Sequence, residues 1–443
     1  MIRKKTFSGG VHPHETGGGK MVTAAMPVKT ARAPATVAIL LSQNVGAPAK
    51  PLCKAGDRVL MGQKIAEPAG FVGAPLHASV SGKVKGIQTR YSAAGAAVQA
   101  IVIENDGLDE WCPSVKPPEN PDSLDRQALT GLIREAGIVG LGGAAFPTAV
   151  KLSPPPDKQI DALILNGAEC EPYLTSDHRT MLEHADEIVD GLLFAKKILD
   201  AKAAYIGIEE NKPDALAAME RASAEKDITV CALPVKYPQG GEKQLIQVVT
   251  GRQVPSGKLP MDAGAVVMNV STAAAVSLAL RKGIPLIERT VTVTGLVASP
   301  ANLRVRIGET VGSLIEQCGG MSPGVNKVIM GGPMMGMSVW NMDTPVVKGT
   351  GGLLLLNDQT RPDAPISNCI RCASCVGVCP IHLMPLSLYA LSRHGRYEEG
   401  KKQHALDCIE CGSCSYICPA KLPLVQTIRV LKREIQKMSR KNG

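Results

Sequence analysis

Aromatic residues are scarce in this chain of 443: four Phe, two Trp and seven Tyr make up 3% of it. At 44% hydrophobic residues it can still bury sizeable cores, but these must be aliphatic. The scarcity also argues against nucleic-acid binding. The formal net charge is +9, yet no aromatic-basic interleaving or groove-reading motif accompanies it. No apolar stretch follows Met1-Ile-Arg-Lys-Lys5, only polar Gly-rich sequence, so no signal peptide is read. The longest uncharged run, 263–280, contains Asn269, Ser271, Thr272 and Ser277. Its polar and small residues favour a buried strand and helix over a membrane span. A soluble chain in a reducing cytoplasmic compartment is expected.

Cysteine, by contrast, is plentiful and concentrated. Eight of thirteen fall in two near-identical runs, Cys369-Ile-Arg-Cys372-Ala-Ser-Cys375-Val-Gly-Val-Cys379-Pro380 and Cys408-Ile-Glu-Cys411-Gly-Ser-Cys414-Ser-Tyr-Ile-Cys418-Pro419. This is the bacterial ferredoxin spacing written twice. A cubane cluster needs four soft thiolates at tetrahedral corners. One tight loop supplies three, and the fourth crosses from the other run. Cys369, Cys372, Cys375 and Cys418 are therefore assigned to one 4Fe–4S cluster, and Cys408, Cys411, Cys414 and Cys379 to the other. Pro380 and Pro419 break the chain after each crossing cysteine. Zinc sites usually pair two short C-x2-C hooks across a longer gap, and neighbours three apart suit disulfide geometry poorly. Cys53, Cys112, Cys231 and Cys318 are scattered and receive no role.

The rest of the chain divides by pattern. Residues 1–115 hold short alternating strands, with Pro51-Leu-Cys-Lys-Ala-Gly-Asp and Pro75-Leu-His-Ala-Ser-Val-Ser-Gly-Lys-Val. This part resembles the biotinyl/lipoyl sandwich, except that its hairpin Glu67-Pro-Ala-Gly-Phe-Val-Gly73 has no Lys to carry a cofactor. It is read as structural. Four prolines within 112–122 mark a linker. An α/β unit with a parallel, Rossmann-like sheet is expected over 120–288. Its strands fall at Ala162–Asn166, Ala203–Ile208 and Ile228–Pro234, and its helices at Arg179–Leu199 and Pro213–Ala224. Residues 289–360 return to β and resemble a soluble-ligand-binding β-grasp domain. The cluster domain occupies 365–443 and ends in a basic helix with Val425, Ile428, Leu431 and Ile435 on one side. That helix can meet an acidic partner or lipid, or simply pack on its own domain.

A Gly-rich loop, Gly137-Ile-Val-Gly140-Leu-Gly142-Gly143-Ala-Ala-Phe146-Pro147-Thr148, follows a helix pattern with Leu124, Leu129 and Ile133 on one face. It is neither G-x-G-x-x-G after a strand nor a Walker A loop. Its glycines still let backbone N–H groups approach a phosphate. Asn166-Gly-Ala-Glu169-Cys170-Glu171-Pro172 follows a strand, where α/β ligand sites lie. Gly240-Gly241-Glu242-Lys243 and Asn269-Val-Ser271-Thr272 add two more polar turns.

The loop with its Phe-Pro-Thr and Lys151, then Asn-x-x-Glu-x-Glu-Pro, resembles the flavin- and NADH-binding subunit of respiratory complex I. The start Phe7-Ser-Gly-Gly-Val-His12-Pro13 and the domain order resemble more closely the RnfC family, peripheral subunits of ferredoxin–NAD oxidoreductases. The resemblance implies non-covalent FMN, held at Gly140, Gly142, Gly143, Lys151, Asn166, Glu169, Gly241, Asn269, Ser271 and Thr272. It places NADH at Phe146, Glu171 and Glu242. Leu141 stands where complex I carries Arg, and Gly241-Glu242-Lys243-Gln244 replaces Gly-Glu-Glu-Thr.

The expected function is hydride exchange between NAD(H) and FMN, with single electrons passing through two 4Fe–4S clusters. Expected partners are the membrane subunits of the complex, an iron–sulfur subunit among them, and indirectly ferredoxin. The expected location is the cytoplasmic face of the membrane. A cobalamin reductase of the propanediol-utilisation type and the diaphorase subunit of a soluble hydrogenase or formate dehydrogenase share parts of the pattern. Cys170 reads as a small buried thiol rather than a redox group, and His12 and His14 carry no assigned role.

Overall fold

The computed structural model describes residues 6–358 and 365–441. An N-terminal sandwich pairs a four-stranded sheet (36–40, 97–105, 82–91, 58–59 in spatial order) with a three-stranded one (50–51, 64–67, 76–77). Alternation along Gly82–Tyr91 buries Gly82 and Val84 and exposes Lys83 and Lys85, the period-two pattern of a half-buried strand. The hairpin at 67–73 lies against the next domain. Arg134 sits over the Phe71 ring at 5.3 Å.

The leading segment does not join the sandwich. Phe7 is buried in the core of the α/β unit, Val11 bridges Tyr237, and Lys29–Thr30 adds an edge strand to the β-grasp sheet. Two glycines permit this path. At Gly9 (φ 77°) a Cβ would lie 2.8 Å from the Cys379 carbonyl oxygen, and at Gly10 (φ 83°) 2.6 Å from that of Tyr237. Only glycine allows both the left-handed backbone and the close approach.

The α/β unit opens with helix Arg126–Glu135, capped by Asp125. Its sheet is fully parallel, in the order 229–233, 203–209, 162–167, 265–269. The 263–280 run is a strand, Ala265–Asn269, leading into a helix, Val270–Lys282. The single helix expected over Arg179–Leu199 is instead two, Ser176–Glu183 and Ala185–Leu199, because the backbone leaves the helical region at His184. Glu183 there accepts from Val28 N at 3.0 Å, a contact with the leading segment that helical periodicity does not encode.

The β-grasp sheet sets Glu288–Gly295 antiparallel to Ala301–Arg306 and parallel to Gly352–Leu356, with helix Val311–Gln317 capped by Thr310. In the last domain short helices Ser374–Gly377 and Ser413–Ile417 follow the start of each cysteine run. The long helix Leu424–Lys441 buries Val425, Ile428, Leu431 and Ile435 in the apolar cores of the cluster domain. Of the two readings of this helix, packing on its own domain is the one observed. Its apolar side is not open to lipid.

Candidate functional site

Chain order reverses across the parallel sheet between Ala162–Gly167 and Ala265–Asn269, which are neighbours although far apart in sequence. Open α/β sheets bind ligands at such a switch point, outside the carboxyl ends of the strands. Asn166 and Asn269 are register partners there. Asn269 caps the following helix by accepting from Thr272 N (3.2 Å). Its amide donates to Asp177 Oδ2 (2.7 Å) and Ser271 Oγ donates to Asp177 Oδ1 (2.6 Å). Thr272 Oγ1 accepts from Leu141 N at 2.9 Å, which ties the glycine loop to the same helix start. Gly140 N donates to Phe146 O (2.8 Å) and closes the loop.

Gly142, Gly143 and Ala144 are exposed at its tip and Phe146 is half-buried. A Cβ at Gly142 would press on Asn269 at 3.2 Å, while Gly143 (φ 129°) faces open space. Lys151 Nζ donates to Glu242 Oε1 (2.8 Å) and Val267 O (3.0 Å), so an expected flavin residue and an expected nicotinamide residue form one ion pair. Asn166 Nδ2 donates to Gly240 O at 2.9 Å, next to Gly241.

The Glu169–Leu174 loop is held by charge. Glu169, in a left-handed conformation (φ 45°), accepts from Asp177 N (2.7 Å) and His178 N (3.1 Å). It thereby caps the Ser176–Glu183 helix. Burial pushes its carboxyl up to about 7, against the pull of Lys20. Lys20 Nζ donates to the carbonyls of Glu169 (2.9 Å), Glu171 (2.7 Å) and Leu174 (2.5 Å). Glu171 accepts from Met334 N (3.1 Å) and Met335 N (2.8 Å) of the β-grasp domain, and burial raises it to about 7. The Glu171 carboxyl, expected at the nicotinamide nucleotide, is thus engaged by two backbone N–H groups.

Cys170 Sγ accepts from Gly240 N (3.3 Å), and burial pushes the thiol up to about 12, away from thiolate reactivity. Lys20 and Asp177 were missed from sequence. Asp177 stands at a helix start, which is a weak signal, and Lys20 gives none.

The loops at the switch point suit a polar ligand. Exposed backbone at Gly142–Ala144 offers N–H groups to an anion beside a helix N-terminus. Thr148 Oγ1 and both side-chain heteroatoms of Gln239 are among the several buried side-chain atoms of the described residues that have no hydrogen-bond partner. Thr148 ends the glycine loop and Gln239 directly precedes the Gly240-Gly241 turn.

The cysteines fall into an enclosed group and a more exposed one. Cys379, Cys408, Cys411 and Cys414 line one cavity, closed by apolar Ile381, Leu383 and Ile428. Cys375 and Cys418, the other crossed pair, influence each other electrostatically and pack in one apolar group. Cys369 and Cys372 are exposed. Among the described residues no three His, Cys, Asp or Glu side chains close to the spacing of a single ion. Tyr237 joins the two regions, donating to Cys411 O at 2.7 Å and packing with Cys170 and Met334.

Comparison with known proteins follows this division. Residues 5–108 match the RnfC barrel-sandwich hybrid domain, 133–278 the Nuo51 FMN-binding domain, 290–338 the SLBB domain and 365–422 the 4Fe-4S dicluster domain. The chain is 49% identical, over the full length of both, to a subunit of the Na(+)-translocating ferredoxin:NAD(+) oxidoreductase complex of Acetobacterium woodii. It is 50% identical to a subunit of the proton-translocating ferredoxin:NAD(+) oxidoreductase complex of Clostridium ljungdahlii, over 97% of this chain and 94% of that one. To a subunit of the ion-translocating oxidoreductase complex of Rhodobacter capsulatus it is 43% identical, over 100% and 85%. The fold also resembles a chain of an NAD+-reducing NiFe hydrogenase in the H2-reduced state, with a TM-score of 0.51 at 19% identity, over 72% of this chain and 65% of that one. With such identity along its whole length, the chain belongs to the RnfC family, subunits of ion-translocating ferredoxin:NAD+ oxidoreductase complexes.

Proposed function

We propose that this chain exchanges electron pairs with NAD(H) at the carboxyl ends of its parallel strands and relays them singly, through both cysteine sites, to a membrane-bound ion-translocating complex. When bound, FMN supplies the two-electron chemistry toward nicotinamide and the one-electron chemistry toward the cubanes. Gly140, Gly142 and Gly143 present backbone to the flavin phosphate, at the start of the helix that Asn269, Ser271 and Thr272 begin. Asn166, Glu169 and Gly241 would help hold the flavin from the neighbouring loops, and Lys151 holds Glu242 in place. Phe146, Glu171 and Glu242 would contact the nicotinamide nucleotide, Glu171 by accepting from a ribose hydroxyl in place of Met334 N or Met335 N. The working units are 1–115, 120–288, 289–360 and 365–443.

The observation that carries this reading is the Tyr237–Cys411 hydrogen bond. It links the loops assigned to the flavin to the cavity lined by Cys379, Cys408, Cys411 and Cys414, which supports reading that site as the first electron acceptor. The exposure of Cys369 and Cys372 supports a reading in which the other site meets the partner, an iron–sulfur subunit that connects in turn to ferredoxin. No described helix is long and apolar enough to cross a membrane. The reading accordingly puts the chain peripherally, on the cytoplasmic face, bound through other subunits.

The test is anaerobic purification followed by NADH addition. Bleaching of the flavin band with appearance of reduced-cluster EPR signals is expected. Stoichiometric flavin that NADH does not bleach would assign the electrons to another donor. Gly142→Val should empty the flavin site, since its side chain would press on Asn269 where the loop must approach phosphate.

A further inference from the structure

We infer that Arg289, contributed by the β-grasp domain, is the cation that recognises the phosphate of the flavin, so that the site selects the phosphorylated form. This rests on the flavin lying at the glycine loop, as proposed above. Arg289 is only 6% exposed. Its guanidinium donates to three carbonyl oxygens: that of Lys348, and those of Leu141 and Thr290 at 3.4 Å each. Among the described residues the one carboxylate acting on it is Asp177, at a distance. Both Asp177 oxygens are already engaged by Asn269 and Ser271. A buried guanidinium facing carbonyls alone is strongly unfavourable, and five N–H donors in a rigid fork are suited to an oxyanion.

Leu141, whose carbonyl it touches, belongs to the glycine loop, and Leu141 N is bonded at the start of the Val270–Lys282 helix. The cation therefore stands beside the backbone donors and the helix N-terminus that already favour negative charge. The domains are in contact there. A Cβ on Gly349 would lie 3.2 Å from Gly143 O. The competing role for Arg289 is to balance Asp177 and brace the loop with no contact to ligand.

The two roles separate on paired ligands. The full chain is stripped of flavin, and FMN and riboflavin are titrated by fluorescence quenching. Arg289→Gln is expected to weaken FMN by roughly ten- to a hundredfold while riboflavin changes less than about threefold. Arg289→Lys keeps charge and loses the fork, and its preference for FMN should fall by roughly three- to tenfold. It decides the question if the Gln variant does not fold. Equal weakening of both ligands, or an FMN preference unchanged in either variant, overturns the assignment and leaves the flavin site intact. Wild-type protein that binds neither ligand removes the flavin site itself, and this inference with it.

Discussion

The two cysteine runs share one spacing and little else. The site lined by Cys379, Cys408, Cys411 and Cys414 is packed against the rest of the chain. Tyr237 donates to Cys411 O, Gln244 to Pro380 O (3.1 Å), and Gly10 N to Val378 O (2.8 Å). The Met334 carbonyl lies so close to Gly412 (φ 79°) that a Cβ there would come within 2.8 Å. Three separate regions thus converge on one cluster cavity. Its intervening Glu410 is gripped by Arg429 (2.9 Å) and Lys432 (2.6 Å) from the last helix. The first run has Arg371 at the matching place, with Ile366 (64%) and Ile370 (71%) exposed beside exposed Cys369 and Cys372. Ligand type is set by local spacing, whereas potential and access are set by what the rest of the chain packs around it. The buried site faces inward to Tyr237 and Cys170, and the open one faces outward.

The sharpest break of this comparison is to exchange the crossing ligands. Cys379→Ser should cost the enclosed cluster and Cys418→Ser the open one, each removing about four of about eight iron atoms. Iron analysis with EPR decides it. Loss of the open cluster from Cys379→Ser would mean that each run ligates its own cluster. A gentler probe is controlled air exposure of intact protein. The open cluster should decay several-fold faster, because oxidant reaches exposed thiolates first. Equal decay would show that exposure of Cys369 and Cys372 does not govern access.

The same division explains what could be read from sequence. The cysteine ligands, the glycine loop and the parallel strands are encoded over a few residues each, and the structure brings the loop, Asn166 and Asn269 to one switch point. Lys20, Asp177, Tyr237 and Arg289 escaped notice because each matters only through a partner far along the chain. Lys20 meets carbonyls about 150 residues away, and nothing in Gly17-Gly-Gly-Lys20 announces it. Glu171 was visible as a residue of the motif but not as a bond to Met334 and Met335, because the β-grasp turn that supplies those N–H groups has no local signature tied to it.

A finer contrast lies in the charges beside each run. Lys432 Nζ donates to Cys408 O (2.7 Å) and Glu410. A cation near a cluster stabilises its more negative, reduced form. Lys432→Met should therefore lower the potential of the enclosed cluster, by on the order of tens of millivolts. Arg371→Met, exposed and screened by salt, should shift the open cluster less. A redox titration followed by EPR reads both. Equal shifts would remove burial from the explanation.

The smallest effect concerns the turn that covers the enclosed run. Glu171 holds that turn through Met334 N and Met335 N, and burial raises its carboxyl to about 7. In the unfolded chain a Glu titrates near 4.3. The folded value lies above the unfolded one, so the protonated acid is the form that folding favours. Its stabilising contribution is complete below about pH 4 and is lost as pH rises through about 7. The turn should loosen over that window by on the order of 1–3 kcal/mol at most. Glu171→Gln does not titrate and should not follow. Hydrogen exchange of the 331–337 segment, wild type against variant at each pH, cancels the intrinsic pH dependence of exchange. A gap between the two that widens from pH 5.5 to 8, with the wild type exchanging faster at the upper end, is the expected result. Parallel profiles would mean that Glu171 does not change protonation there, and that the enclosure of the second run is independent of pH.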